Sequence, residues 1–169
     1  MTEALLQFDR AISAARDSTS VWKALEDLSR AVVGHRLFTV MTVDMAEGLA
    51  RRAYTDHPIE YPASGTKPIH RNEWFDIVHG EKRSFIANTI ADIAKVFPDH
   101  ELIRSMGCGS VWNLPVVIEG DLVATINMLD AEHHYSPERV ATAEQILSTP
   151  AKLCCVLAAR FDSHAKKPD

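Results

Sequence analysis

The sequence contains few cysteines, no excess of basic residues and no long apolar segment. Its three cysteines include the adjacent Cys154 and Cys155, so the pattern predicts free thiols and a cytoplasmic location rather than a disulfide framework. With 23 acidic and 18 basic residues, the chain lacks the basic surface of nucleic-acid-binding proteins. No apolar run reaches the length of a membrane span, and the N-terminus does not resemble a signal peptide. The sequence therefore predicts a protein without a nucleic-acid or membrane partner, and no Cys/His spacing predicts a metal or cofactor site.

The remaining composition is that of a globular protein. Hydrophobic residues make up 46% of the 169 residues and charged residues 24%, which is usual for a domain with a buried core. We expect residues 1–169 to form a single domain without an output domain. Its core should span about 5–161, followed by a flexible tail over 162–169.

Hydrophobic periodicity predicts helices at both ends of the chain and hairpins between them. Two N-terminal helices are expected, the second capped by Ser20 and ended by Gly34. Strands are predicted at 37–43, 51–55, 84–87, 111–118 and 122–129, with a loop over 56–71 and short helices over 72–80 and 90–106. A last helix should follow Ser136 and run towards Phe161, kinked or split by Pro150. This order predicts an α+β fold, in which an antiparallel sheet carries helices on one face and a lid over a pocket on the other.

The hairpin predicted around Gly120 carries polar residues inside apolar strands. Ser110 and Asn113 lie in its first strand, and Thr125 and Asn127 lie in its second. A buried amide or hydroxyl is costly unless it is hydrogen-bonded. Either the protein or a ligand therefore satisfies these groups, and the sequence leaves both alternatives open.

The same hairpin resembles the signature of GAF domains: a serine, a short apolar strand, a proline, a glycine turn and a second strand ending in an Asn–apolar pair. The matching residues are 107–115 (Gly-Cys-Gly-Ser-Val-Trp-Asn-Leu-Pro), Gly120 and 124–128 (Ala-Thr-Ile-Asn-Met). Upstream, residues 52–54, 61–62, 65–68, Trp74 and 97–103 resemble small stand-alone bacterial GAF proteins. The resemblance extends from about Leu5 to Phe161.

This resemblance implies a PAS-like sheet of five or six antiparallel strands, with terminal helices on one face and a small-molecule pocket on the other. It also implies a homodimer formed through the terminal helices. Because we expect no output domain on this chain, the protein should signal through a separate protein partner or act as a dimer. GAF domains bind cyclic nucleotides, tetrapyrroles, small anions, amino-acid derivatives and aromatic acids, so the fold names no single ligand.

Three candidate ligand-binding residues lie in the hairpin. Ser110 and Trp112 share one face of a strand and Asn127 lies on the neighbouring strand, an arrangement that places polar groups beside an indole wall. Alternatively, Ser110 and Asn127 bond to the backbone at strand ends and Trp112 belongs to the core.

Five further candidates form an aromatic box with an Asp–His pair on the lid: Tyr54, Trp74, Phe97, Asp99 and His100. An aspartate can fix the tautomer of a neighbouring histidine, which would supply a defined hydrogen bond. Alternatively, Trp74 and Phe97 fill the core and Asp99 caps a helix.

Cys108 is the candidate for catalysis. One GAF branch, the free methionine-R-sulfoxide reductases, performs thiol chemistry in this pocket, which requires an accessible low-pKa thiolate and usually a resolving cysteine. Cys154 and Cys155 are expected across the sheet from Cys108, which favours the alternative that Cys108 is a small apolar filler.

Three functions follow from these features. The first is a sensory module that binds a small metabolite and has no enzymatic activity. The second is a thiol redox enzyme that uses Cys108. The third is an interaction module with a filled pocket, whose terminal helices present a dimer or partner surface at Leu5, Phe8, Leu153, Val156 and Leu157.

Overall fold

Helices occupy both ends of the chain and strands its middle, in a computed structural model that describes residues 2–63 and 66–165, without the side chains of Lys67 and Pro68. The helices are α1 (Thr2–Ala14), α2 (Ser18–Val32), α3 (Glu73–Phe75), α4 (Ile90–Val96), α5 (His100–Ser105) and α6 (Pro137–Ala165), and α3 continues as a π-helical turn over Asp76–Gly80. The strands are β1 (Leu37–Asp44), β2 (Leu49–Thr55), β3 (Thr66–Pro68), β4 (Phe85–Ala87), β5 (Ser110–Ile118) and β6 (Asp121–Asp130).

The six strands form one antiparallel sheet in the order β3-β2-β1-β6-β5-β4. This confirms the α+β prediction. The segment 56–71, predicted as a loop, contains the edge strand β3, which pairs with β2. Gly65, which belongs to the upstream part of the GAF resemblance, lies outside the described residues.

The two faces of the sheet pack against different elements. On one face, Phe38, Ile126 and Met128 belong to a core shared with Leu25 of α2 and Leu147 of α6. We call this the helix face. On the other face, Leu37, Val111 and Leu129 pack with the segment between β2 and β5 in a second core. We call this the lid face, and we call that segment, residues 56–106, the lid.

The N-cap of α2 lies three residues before the predicted cap, Ser20. Asp17 is the N-cap residue, and its carboxylate accepts a hydrogen bond from the backbone N–H of Ser20 at 2.7 Å. The Ser20 hydroxyl in turn accepts from the Asp17 N–H at 3.2 Å, which completes a capping box. Ser20 therefore lies in the first turn of α2, where its side chain stabilises the N-cap.

Of the two predicted effects of Pro150, a kink or a split of the last helix, the split is wrong, because α6 continues through Pro150 to Ala165. Pro150 is buried, and α6 packs against α2 along this part of its length, so tertiary contacts offset the missing backbone hydrogen bond. Residues 162–165 of the predicted tail are helical, and residues 166–169 lie outside the described residues. No helix in the described residues is both long enough and apolar enough to cross a membrane.

Candidate functional site

A cavity of about 250 Å³ lies between the lid face of the sheet and the lid. The sheet supplies the floor and the lid supplies the roof, mostly with apolar side chains. The lining residues from the sheet are Leu37, Thr39, Met41, Arg52, Val111, Asn113, Thr125, Asn127 and Leu129, and those from the lid are Tyr61, Trp74, Phe97, Asp99 and Ile103. An apolar cavity with a few placed polar groups is the usual form of a small-molecule site.

A row of polar side chains crosses the floor of the cavity from β1 to β5. Strand register pairs Thr39 with Asn127 and Asn127 with Asn113. The Asn113 amide donates to Asn127 Oδ1 at 2.6 Å, and the Asn127 amide donates to Thr39 Oγ1 at 3.2 Å. The Trp74 indole N–H donates to Asn113 Oδ1 at 2.9 Å and ties the lid to this row. We call these four side chains the amide row.

Two polar atoms beside the amide row have no hydrogen-bond partner within residues 2–63 and 66–165. They are Thr125 Oγ1 and Arg52 Nε, and both are buried in residues that line the cavity. A buried polar group without a partner costs about 1–3 kcal/mol. Such atoms are typical of a site whose remaining partner is a ligand or a bound water.

One cationic and one anionic side chain line the cavity, and Tyr61 contacts both. The Arg52 guanidinium lies over the Tyr61 ring, 5.0 Å from its centroid, and donates to the Pro62 carbonyl at 3.0 Å. The Tyr61 hydroxyl donates to Asp99 Oδ2 at 2.6 Å. Burial, together with this hydrogen bond, raises the pKa of Tyr61, so the phenol stays protonated at neutral pH. Among the described side chains, no ion pair joins Arg52 to Asp99.

A β-bulge in β2 directs Arg52 into the cavity. Tyr54 pairs with Val40 and Arg52 pairs with Met41, which leaves Ala53 without a partner on β1. An extra residue of this kind changes the face on which the following side chains lie. Tyr54 consequently lies in the core of the helix face, whereas Arg52 lines the cavity.

Four of the eight candidate ligand-binding residues line the cavity: Trp74, Phe97, Asp99 and Asn127. Phe97 packs edge-on against Trp74, with ring centroids 6.1 Å apart. His100 does not line the cavity, because its Nδ1 bonds to the Phe97 carbonyl at 3.2 Å and its Nε2 lies 3.4 Å from Glu101. The proposed Asp–His pair is therefore not formed, since Asp99 accepts its hydrogen bond from Tyr61 instead.

The other three candidates, Tyr54, Ser110 and Trp112, lie away from the cavity. The Tyr54 hydroxyl donates to Glu26 of α2 at 2.6 Å. Ser110 and Trp112 do share a strand face, as the sequence predicted, but Trp112 belongs to the core of the helix face. Ser110 donates to the Ala131 carbonyl at 2.7 Å, and Trp112 donates to Ser84 Oγ at 3.0 Å.

Five polar lining residues are not among the eight candidates: Thr39, Arg52, Tyr61, Asn113 and Thr125. The sequence does mark Asn113 and Thr125 as polar residues that the protein or a ligand must satisfy. Thr125 carried a usable signal, because strand alternation places it on the same face as Asn127. Asn113 shares that face only through the hairpin register, which shifts at a bulge between Val116 and Val117. The sequence gives no signal for the position of Arg52, because no residue pattern indicates the bulge. Tyr61 lies in a segment without periodicity, and its position depends on how the lid folds.

Cys108 is buried in the core of the lid face but does not line the cavity. Burial, with a contribution from Asp130, raises the pKa of its thiol to about 11. Cys154 lies in the core of the helix face, as expected from its place on the last helix. An attacking thiolate needs a lowered pKa and access to solvent, and Cys108 has neither.

The sequence matches no protein-family model and no curated protein. Its structure is similar to that of a GAF domain/HD domain protein from Geobacter sulfurreducens, with a TM-score of 0.66 at 13% identity over 88% of this chain and 97% of that one. The GAF domain of a two-component sensor histidine kinase from Bacillus halodurans gives a TM-score of 0.66 at 10% identity, over 84% and 95%. Free methionine-R-sulfoxide reductase from Neisseria meningitidis gives 0.65 at 14% identity, over 94% and 90%.

These similarities cover most of this chain and of each compared chain. At such low identity they establish a shared fold. The six-stranded antiparallel sheet with terminal helices on one face and a lid on the other is therefore a GAF fold.

Proposed function

We propose that this protein is a sensory module that binds a small metabolite between the sheet and the lid. The observation that carries the proposal is the cavity of about 250 Å³, whose lining includes Arg52 and Thr125; among the described residues, Arg52 Nε and Thr125 Oγ1 have no hydrogen-bond partner. This volume lies below the range of about 300–1,000 Å³ for sites of drug-sized ligands, which favours a compact metabolite. The GAF folds of a sensor histidine kinase and of an HD domain protein support a sensory role.

Output would pass through the terminal helices. α1 and α6 expose apolar side chains to solvent: Leu5, Leu6, Leu153 and Val156. We propose that these residues form a homodimer interface and that the dimer, in the cytoplasm, acts on a separate protein partner. A ligand can shift this interface only by binding its alternative arrangements with different affinities.

Thiol chemistry is the second candidate, favoured by the structural similarity to a methionine-R-sulfoxide reductase. The burial of Cys108 and its raised pKa weigh against it. The cavity of about 250 Å³ weighs against the third hypothesis, an interaction module with a filled pocket.

A thermal-shift screen tests the proposal. The library should contain nucleobases, cyclic nucleotides, nitrate, aromatic acids, methionine sulfoxide and the common amino acids. A ligand at a hundred times its dissociation constant stabilises the protein by about 2.7 kcal/mol. We expect a hit that is recovered unchanged and is weakened in Asn127→Ala. A library without any hit on folded protein would contradict the proposal.

A further inference from the structure

The charges that line the cavity restrict the ligand further. Among the described residues that line the cavity, Arg52 is the cationic one and Asp99 the anionic one. They carry opposite charges, and no ion pair joins them among the described side chains. Tyr61 separates them, with its ring beneath the guanidinium and its hydroxyl on the carboxylate.

Each of these two charged groups has bonding capacity left for a ligand. Arg52 uses one terminal nitrogen on the Pro62 carbonyl, whereas its Nε has no partner in the part of the chain that the structure describes. Asp99 Oδ2 accepts a hydrogen bond from the Tyr61 hydroxyl, and among the described residues Oδ1 accepts none. A guanidinium binds carboxylates with two parallel hydrogen bonds, and a carboxylate binds an ammonium group.

The remaining lining is uncharged. The amide row crosses the floor, and the walls consist of apolar side chains: Leu37, Met41, Phe97, Ile103, Val111 and Leu129. A third charge on the ligand would therefore be buried without a partner, at a large cost.

Building on the proposed function, we infer that the ligand is a zwitterionic α-amino acid with an uncharged side chain. Its carboxylate binds Arg52, its ammonium group binds Asp99, and its side chain lies over the amide row against the apolar walls. A simple carboxylic acid leaves Asp99 unpaired, and a simple amine leaves Arg52 unpaired.

Matched probes test this inference by calorimetry. We expect L-leucine, L-methionine or L-glutamine to bind. L-Glutamate and L-lysine should bind at least about tenfold more weakly than the best of these probes, because each adds a charge. For the best amino acid, the N-acetyl derivative removes the ammonium charge and the amide derivative removes the carboxylate charge. Both derivatives should lose at least about tenfold in affinity.

Substitutions in the protein test the same two contacts, that of Arg52 with the carboxylate and that of Asp99 with the ammonium group. Arg52→Gln and Asp99→Asn should each weaken the best amino acid by at least about tenfold. Arg51→Gln is the matched control for Arg52, because Arg51 neighbours it in sequence and lies 3.8 Å from Asp162 of α6. Glu101→Gln on α5 is the control for Asp99, because Glu101 is exposed. If Arg52→Gln fails to fold, the two derivatives decide the question without a substitution.

The outcomes separate this inference from the proposed function. If the N-acetyl derivative binds as tightly as the amino acid, Asp99 does not bind an ammonium group and the inference is wrong. If no amino acid binds but an uncharged or singly charged metabolite does, the inference fails and the sensory function stands. If neither the amino acids nor the wider library binds, both fail.

Discussion

Arg52 and Tyr54 lie two residues apart in one strand, yet their side chains lie on opposite faces of the sheet. Regular alternation would place both on the same face. The unpaired Ala53 between them breaks the alternation, so Arg52 reaches the cavity and Tyr54 bonds to Glu26 of α2. Residues 52–54 of β2 therefore connect the cavity on the lid face with the core on the helix face.

Replacing Tyr54 should change stability and leave ligand affinity unchanged. Tyr54→Phe removes the hydrogen bond to the buried Glu26 carboxylate, and such a bond to a charged group contributes about 1.5–3 kcal/mol. Urea unfolding should show a loss of that size. The affinity for the ligand found in the screen is the second measurement. A large loss of affinity would show that Tyr54 contributes to ligand binding.

Acid should destabilise the protein partly through Glu26. Burial acts to raise the pKa of Glu26, but hydrogen bonds from Tyr54 and Arg30 outweigh it, so the pKa lies below the ordinary 4.5. The folded state therefore releases this proton more readily than the unfolded state, and the resulting stability is present above pH 4.5 and is lost as pH falls through the folded pKa. Unfolding series between pH 7 and pH 3 should show this loss, and it should be smaller in Tyr54→Phe. An equal loss in both proteins would contradict the assignment.

Removing Asn127 should destabilise the protein because its partners remain buried. Asn127→Ala leaves the Asn113 amide and the Thr39 hydroxyl without their present partners. We expect the free energy of unfolding to fall by about 1–3 kcal/mol or more. Thr142→Ala, on an exposed surface of α6, is the control and should change stability by about 0.5 kcal/mol or less. Equal stability of the two variants would show that the amide row is not a structural element.

The thiols should react slowly in the folded protein. Burial raises the pKa of Cys108 to about 11 and that of Cys155 to about 12, and it also raises the pKa of Cys154. Titration with an aromatic disulfide at pH 8 should therefore label these thiols only after denaturant is added. A fast-reacting thiol that disappears in Cys108→Ser would restore the redox hypothesis.

A charge on the exposed apolar surface of α6 should disrupt the proposed dimer. Val156 is 54% exposed, and Val156→Glu would bury a carboxylate in that interface. Sedimentation velocity should show a monomer with an unchanged circular dichroism spectrum. Gln145→Glu adds the same group at another exposed position of α6 and should leave the dimer intact. A wild-type protein that is monomeric at high concentration would contradict the dimer itself.

Hydrophobic periodicity was sufficient to predict the fold class and nearly every element. The exceptions have local causes. Strand β3 pairs through only three residues, which is too short a run to leave a pattern. Pro150 indicated a break, but packing of α6 against α2 overrides the local preference.

The candidate site was harder to predict because it depends on which face each strand presents. Strand alternation correctly grouped Ser110 with Trp112, but it does not say which face the terminal helices cover. Trp112 packs beneath those helices, 6.3 Å from the ring of Tyr135, so its group belongs to the core. The Asn127 side chain lies on the opposite face of the sheet from Trp112 and lines the cavity.

The amide row also has a consequence for how the strands find their partners. A shift of one residue in β6 would turn the Asn127 amide into the apolar layer beside Phe38 and Trp112. A shift of two residues would set it opposite aliphatic side chains on β1 and β5. In both cases several buried amides would lose their partners together, so alternative pairings of these three central strands are strongly disfavoured. The row thus selects one alignment of the sheet, whether or not a ligand is bound.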